Sequence, residues 1–317
     1  MHIQKYLQVN YQTLLKMINN SFFRRAKRAL TDPKHDLDLL LNVTANCWPD
    51  ETFIKMKFRL KCGKPLNLKA PQTFNEKQNW LKLYDRNPLY TNLVDKYRVK
   101  AHVARIIGDE YVVPCYGFWE NVDDIDYKSL PQQFVLKCNH NSGGICICRD
   151  KKNINIAAFK DRLQGKLNEN FYKYSRVWPY KNVKKGVLAD MFLDDHMGSE
   201  LRDYKWWCFN GEPKVMYCTN KGEDVYENFY DMDFNPLDIS HGFRRFEPEI
   251  EKPAEFELMK ELAAKLSAGI PFVRIDFFDV EGHVYFGEFT FCDWGGMLPL
   301  SDEWENRLGS WITLPKK

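Results

Sequence analysis

Near the C-terminal end of the 317-residue sequence, Val273-Arg274-Ile275-Asp276 is followed by a Glu281-Gly282 turn signal and then by Tyr285-Phe286-Gly287-Glu288-Phe289-Thr290. Side chains alternate along a strand, so Arg274 shares a face with Asp276, and Glu288 with Thr290. Folding the two strands through the turn brings Asp276 near Glu288. Two carboxylates beside an arginine are costly in a dry core. They suit a hard cation such as Mg²⁺, which takes carboxylates together with phosphate oxygens. The spacing equally allows an arginine–carboxylate cluster at a solvated edge. In the metal arrangement the two carboxylates face each other and repel, so removing one charge is expected to leave the apo protein as stable or more so.

A second group is Phe134-Val135-Leu136-Lys137-Cys138-Asn139-His140-Asn141-Ser142-Gly143-Gly144. A strand delivers a lysine, and a glycine loop follows whose backbone N–H groups can wrap phosphate oxygens. The order is not that of a P-loop, where the lysine follows the glycines, nor that of a dinucleotide fingerprint, because no helix opens at the second glycine. An ordinary hairpin loop fits as well. A third group is Val94-Asp95-Lys96-Tyr97, whose lysine reads by itself as a surface residue.

Other constellations carry less. Cys138, His140, Cys146 and Cys148 invite a zinc reading, but no second Cys/His pair has the usual spacing. Asp231-Met232-Asp233 fits the Asp-x-Asp of a nucleotide-sugar glycosyltransferase, yet the same pattern recurs at Asp36/Asp38 and Asp124/Asp126. His241, Arg244 and Arg245 form either a solvated loop or a clamp for a sugar carboxylate or phosphate, which arginine binds bidentately.

The elements that must position these residues are legible in outline. Residues 3–30 have helical spacing, with Lys16, Arg24, Arg25, Lys27 and Arg28 making the later part basic. Such a helix suits either a membrane surface or its own domain. Asp50 reads as the N-cap of a helix to about Lys61, stopped by Gly63. Thr73-Phe74-Asn75-Glu76 is a capping box opening a helix to about Tyr84, and another helix is expected from Leu89 to Ile107, stopped at Gly108. After Gly108 strands are expected at 111–118, 134–138, 187–193, 204–209, 215–219, 272–278 and 284–291, with helices at 157–174 and 254–268. Asn210-Gly211 and Glu281-Gly282 are hairpin signals. The texture is helical first, then antiparallel, so the fold class is α+β rather than a repeated βαβ.

Composition narrows the partners. The chain is 44% hydrophobic and 28% charged with a net charge of +3, an ordinary globular balance that gives no reason to expect nucleic acid. No apolar run reaches the ~18–20 residues that span a bilayer. The cysteine count is odd, at nine, and no signal peptide precedes the cysteines, so a reducing cytoplasm is the expected compartment. An aromatic share of 15% suits a large core or pockets for sugars and bases.

Taken in order, a lysine, a lysine–glycine loop, then Arg-x-Asp and Glu-x-Thr across a hairpin resemble the parts of an ATP-grasp enzyme. The resemblance is closest to the TupA-like ATP-grasp family of teichuronopeptide and capsular polysaccharide biosynthesis, through PQTFNEKQNWLKLYDRNPLYTNLVDKYRVKAHV, LPQQFVLKCNHNSGG, DYKWWCFNGEPK and PFVRIDFFDVEGHVYFGEFTF. It implies an ATP-grasp fold of two α+β units clasping ATP: a helical N-terminal region 1–108, a lid subdomain 109–200 and a metal-bearing subdomain 201–317. It implies that Lys96 and Lys137 contact ATP phosphates and that the loop Asn139–Gly144, with Ser142 and Gly143, covers them. Asp190, Met191 and Leu193 match the adenine hinge, where glutamate is usual in place of Asp190, and Asp203 lies near the ribose. Asp276 and Glu288 match Mg²⁺ ligands, joined by Thr290 where asparagine is common, and Arg274 steadies the transferring phosphoryl group. Asp293, in Cys292-Asp293-Trp294-Gly295-Gly296, is expected on the acceptor side with His241, Arg244 and Arg245.

The function implied is an ATP- and Mg²⁺-dependent carboxylate–amine ligase working through an acyl phosphate. It would attach an amino acid or amine to a uronic-acid-containing surface polysaccharide or its precursor, in the cytoplasm or at the inner membrane face. A surface-polysaccharide glycosyltransferase, an ATP-grasp sugar kinase and a nucleotide-binding protein without ligase activity are the alternatives.

Overall fold

The computed structural model describes residues 33–194, 201–220 and 225–316. The helix expected over residues 3–30 lies outside them. Backbone contacts divide the chain into Met1–Pro65 and Leu66–Lys317.

In the first unit α1 (Pro33–Val43) and α2 (Asp50–Cys62) close over Leu41, Ala45 and Phe53. The N-cap of α2 is Pro49, not Asp50. Proline's fixed φ sets the entry, and Asp50 and Glu51 sit in the first turn, where negative charge complements the helix dipole. Gly63 ends the helix with φ 72°, the left-handed conformation that glycine adopts without steric cost.

The second unit opens with α3 (Phe74–Tyr84), capped by the expected Thr73/Glu76 box. The single helix expected over 89–107 is two, α4 (Leu89–Val94) and α5 (Val99–Ile107). Between them the Asp95 carboxylate accepts from the N–H groups of Tyr97 and Arg98. This local bond competes with the helical one and breaks the helix. It is the break that places Lys96.

Two antiparallel sheets follow. The four-stranded sheet has the order β1-β4-β2-β3, with β1 Cys115–Trp119, β2 Phe134–Cys138, β3 Ile145–Cys148 and β4 Val187–Met191. The helical stretch expected at 157–174 is α6 (Ile156–Asn168) and α7 (Phe171–Ser175). Leu163 and Leu167 of α6 pack with Phe134, Leu136 and Val187. The six-stranded sheet has β9 between β10 and β5, then β6, β7 and β8. These are β5 Asp203–Phe209, β6 Glu212–Thr219, β7 Glu227–Tyr230, β8 Pro236–Leu237, β9 Phe272–Val280 and β10 His283–Thr290. α8 (Phe256–Ser267) buries Phe256, Met259, Leu262 and Leu266 with Trp206, Val273, Ile275 and Phe277 of one sheet face. α9 (Asp302–Trp311), unforeseen in the sequence, packs on α3. No helix among the described residues is long and apolar enough to cross a membrane.

The strand signals fail mainly at the short pieces. β3, β7 and β8 have few residues with which to show a period, and β1 begins at Cys115 rather than at residue 111, because Asp109–Tyr111 is a turn of 3-10 helix. Both hairpin signals are correct: Asn210/Gly211 and Glu281/Gly282 all have positive φ, as a type I′ turn requires.

Candidate active site

Odd-numbered residues of β9, from Val273 to Phe277, face α8, leaving Arg274, Asp276 and Phe278 on the other face. On β10, plain alternation would put Glu288 and Thr290 on the same face as Val284 and Phe286, which are core residues. A bulge between Phe286 and Glu288 prevents this. Phe286 pairs with Phe277, then Glu288 with Asp276, Phe289 with Ile275 and Thr290 with Arg274. Gly287 is the extra residue, and a Cβ there would lie 3.0 Å from the Asp276 carbonyl oxygen. The bulge turns Glu288 and Thr290 to the open face.

Registers across the sheet extend this row. Asp276 lies opposite Lys205, and Lys205 opposite Tyr217. The Arg274 guanidinium makes a bidentate pair with Asp276, Nε to Oδ1 and Nη2 to Oδ2, both 2.7 Å. It reaches Glu288 Oε1 at 3.0 Å and Asp293 Oδ1 at 2.6 Å. Lys96 Nζ lies 3.1 Å from Glu288 Oε2, and the Thr290 hydroxyl donates to Glu288 Oε1. Burial pushes Asp276 up to about 6 although Arg274 pulls the other way. Glu288 feels the same burial penalty, but Lys96 and Arg274 more than offset it and hold it well below the usual carboxylate range. Glu288 still repels Asp276, but the facing carboxylates are bridged by a cation from the protein itself, which offsets the expected repulsion. Removing Glu288's charge in the apo protein should destabilise it.

Asp276, Glu288 and Thr290 offer hard oxygen donors, and among the described residues no group of three or more His, Cys, Asp or Glu side chains is arranged to hold a metal ion by itself. The set fits Mg²⁺ that draws its remaining ligands from phosphate oxygens and water. It does not fit a cation held by the protein alone. The Cys138/His140/Cys146/Cys148 group is not a zinc site either. The three thiols are buried in the four-stranded sheet's core, His140 is bonded to Glu169 O, and the four side chains are not arranged to hold a metal ion.

The glycine loop meets this cluster through Lys96. The Lys96 backbone N–H donates to the Asn139 carbonyl at 3.0 Å while its ammonium reaches Glu288. The Asn139 side chain accepts from Gly186 N and donates to Lys184 O. Asn141 donates to Lys166 O, and His140 bonds Glu169 O. Three buried side chains thus pin the loop, and Ser142 and Gly143 are left exposed at its tip. Gly143 has φ 78°.

Lys137 points from β2 to Asp190 on β4 at 2.7 Å, and Lys100 of α5 reaches the same carboxylate at 3.0 Å. Beside them is a cleft of about 700 Å³ lined by Lys137, Asp190, Met191, Leu193, Arg149 and Phe278. Its walls are mostly apolar, as in a site for a flat heterocycle. The Met191 N–H already donates to Pro114 O. Asp203 pairs with Lys205 at 2.8 Å, and Lys205 also donates to Thr219.

The acceptor-side residues separate. Asp293 is 1% exposed, with its oxygens taken by Arg274, Trp207 Nε1 and the Tyr217 hydroxyl. His241 is buried and held by Glu227 at 2.9 Å. Arg244 and Arg245 are exposed, and Arg245 lies 3.4 Å from Glu249. The three cationic residues do not form one clamp, because the histidine is turned into an aromatic core of Trp207, Tyr217 and Phe229. Asp231 of the Asp-x-Asp pattern caps its own turn, accepting from Asp233 N, Asn235 N and Asn235 Nδ2. Sequence reasoning missed Lys205 and Lys100. Asp203-x-Lys205 has the strand alternation that flagged Arg274-x-Asp276, and Lys100 lies four positions past Lys96 in sequence.

In comparisons with known proteins, no curated protein matches the chain. Among solved structures, D-alanine–D-alanine ligase from Helicobacter pylori is 16% identical, with 76% of this chain and 69% of that one covered and a TM-score of 0.41. D-alanyl-alanine synthetase A from Vibrio cholerae is 14% identical, with 83% and 68% covered and a TM-score of 0.44. D-alanine–D-alanine ligase from Bacillus anthracis complexed with ATP is 14% identical, with a TM-score of 0.39; 69% of this chain is covered, and the chain spans 58% of that structure's length. The family model for TupA-like ATP-grasp proteins matches residues 76–313, a span that holds every residue of the cluster from Lys96 to Asp293. That span is well over half of the sequence, and the chain therefore belongs to the TupA-like ATP-grasp family.

Proposed function

We propose that this ATP-grasp ligase activates a carboxylate of a uronic-acid-containing surface glycan, or of its precursor, as an acyl phosphate and joins it to an amino acid or amine. The observation that carries this reading is Lys96, whose backbone holds the glycine loop while its ammonium sits on Glu288. Phosphate-binding backbone and metal-binding carboxylates are thereby tied to one residue.

In this reading Lys137 and Lys96 neutralise phosphate oxygens, and the loop Asn139–Gly144 closes over them with its exposed tip, Ser142 and Gly143. Met191 and Leu193 wall the base, and Asp203 lies toward the ribose. Asp276 and Glu288, with Thr290, would hold Mg²⁺, which supplies charge stabilisation at the transferring phosphoryl group. Arg274 releases part of its carboxylate pairing to steady that group. Residues 109–200 act as a lid that excludes water from an acyl phosphate prone to hydrolysis, and residues 201–317 carry the metal-binding face. The basic segment from Lys16 to Arg28 suits contact with an anionic membrane surface where a lipid-linked acceptor would be found.

The test is ADP formation from Mg²⁺–ATP with a panel of uronate glycans, with and without amines. Full turnover is expected only with both substrates, and hydroxylamine in place of the amine should give a hydroxamate. Phosphorylated sugar accumulating without amine would make the protein a kinase, and glycosyl transfer with no ADP from ATP a glycosyltransferase.

A further inference from the structure

Strand β9 lays Phe278, Asp276 and Arg274 in line on one face, about 7 Å apart. Phe278 lines the 700 Å³ cleft and Asp276 faces Glu288. Arg274 is at the far end, where its guanidinium binds Asp293. The residue after Asp293 is Trp294. A base in the cleft and a group beside Trp294 would therefore flank the charged cluster from opposite ends.

Trp294 is an odd residue to find there. It is 47% exposed although Asp293 before it is 1% exposed. Its φ of 48° is left-handed, and Gly295 and Gly296 continue at 64° and 71°. A tryptophan seldom adopts this conformation, and such strain persists only where the surroundings hold it. Here they do. Lys82 Nζ donates to Gly295 O at 2.6 Å, Asn79 Nδ2 to Gly296 O at 2.7 Å, and Trp294 N to Asp293 Oδ1 at 3.2 Å. The indole is directed outward against His241, centroids 5.2 Å apart, and against Phe243 at 5.7 Å with the planes 49° apart. Phe243 is itself 38% exposed.

We propose that Trp294 and Phe243 form the stacking subsite for a sugar ring of the acceptor, which rests on the reading of the chain as a ligase of uronate-bearing glycans. The C–H faces of a pyranose carry slight positive charge and match the negative face of an aromatic ring. Two rings inclined to each other suit a puckered sugar better than a planar base, which needs a parallel slot. Arg244, next in sequence to Phe243 and exposed, adds a positive charge that complements an anionic glycan, while Arg245 beside it is paired with Glu249. Because Asp293 and Trp294 are adjacent, the platform and the phosphoryl-steadying arginine are set by one short turn.

The test measures binding of a galacturonic acid tetramer, and of neutral cellotetraose as a control, by calorimetry on the full chain. Mg²⁺–ATP affinity is measured on the same samples. Trp294→Gly keeps the left-handed backbone without strain, and Trp294→Phe keeps a ring. Wild type is expected to bind the uronate tetramer more tightly than cellotetraose. Trp294→Gly should weaken it roughly tenfold and Phe243→Ala about threefold, with Trp294→Phe in between and ATP affinity unchanged. A folded Trp294→Gly that binds the tetramer like wild type overturns the proposal, and so does a wild type that binds neither oligosaccharide. Loss of ATP binding in wild type would remove the ligase reading alone, since a Trp294-dependent affinity for the uronate would still stand.

Discussion

The charged row of the six-stranded sheet and the glycine loop of the four-stranded one hold their polar groups in opposite ways. On the six-stranded sheet, charge is held by charge: Arg274 bonds Asp276, Glu288 and Asp293 at once, and Lys96 and Lys205 complete the row. At the glycine loop of the four-stranded sheet, neutral side chains do the holding, as Asn139, His140 and Asn141 bond backbone carbonyls and leave a bare tip. In the proposed function the first arrangement would fix side chains that meet a metal and phosphates. The second would fix a loop's base so that backbone N–H groups at its tip can adapt to a ligand. The difference predicts different sensitivities to mutation.

The largest effect is expected at the charged row. Glu288→Gln keeps the shape and removes a metal-binding charge, so Mg²⁺-dependent ADP formation should fall by orders of magnitude. The same variant should also lower the apo melting temperature, because Lys96 and Arg274 lose a partner. Retained activity in a destabilised Glu288→Gln would reduce the row to a structural ion cluster. Arg274→Met should follow, destabilising the apo protein by about 3–5 kcal/mol, since buried Asp276 and Asp293 are left unpaired. Urea unfolding of that variant measures it, and a loss below about 1 kcal/mol would show that the row does not depend on its arginine.

At the loop the effect should be smaller and pH-dependent. Burial lowers His140 to about 4, from 6.5. Between those values the unfolded chain binds the proton and the native one does not, so this contribution is complete above pH 6.5 and is lost as pH falls toward 4. The full shift is worth up to about 3 kcal/mol. His140→Gln should flatten the slope of stability against pH in that window, and an unchanged slope would mean that His140 is not what anchors the loop. The smallest effects come from two glycines that sharpen the contrast. Gly287→Ala meets the Asp276 backbone at 3.0 Å and should cost about 1–3 kcal/mol in thermal or urea unfolding. Gly143→Ala finds open space at a φ of 78° and should cost only about 1 kcal/mol. Equal losses would argue that bulge and loop tip are under the same constraint.

The sequence by itself determined the parts whose signals are local. The Thr73/Glu76 capping box, the Asn210-Gly211 and Glu281-Gly282 turns and the pairing of Asp276 with Glu288 all rest on residue type and short spacing. These reach only a few neighbours, so propensity and alternation suffice. Only the tertiary structure decided which face those residues show and what they bond. The Gly287 bulge reverses the alternation on β10, and although a glycine in mid-strand allows a bulge, its presence and place depend on the partner strand's register. The break at Asp95 that brings Lys96 to Glu288 is invisible in a stretch with helical periodicity. Asp293 and His241 read as open polar residues, yet they lie inside because residues on other elements satisfy them there, Arg274, Trp207 and Tyr217 for Asp293 and Glu227 for His241, with Trp207 and Tyr217 lying 86 and 76 positions away. A buried charge is allowed only where its partners are already in place, and partners separated by dozens of residues are brought together by the fold alone.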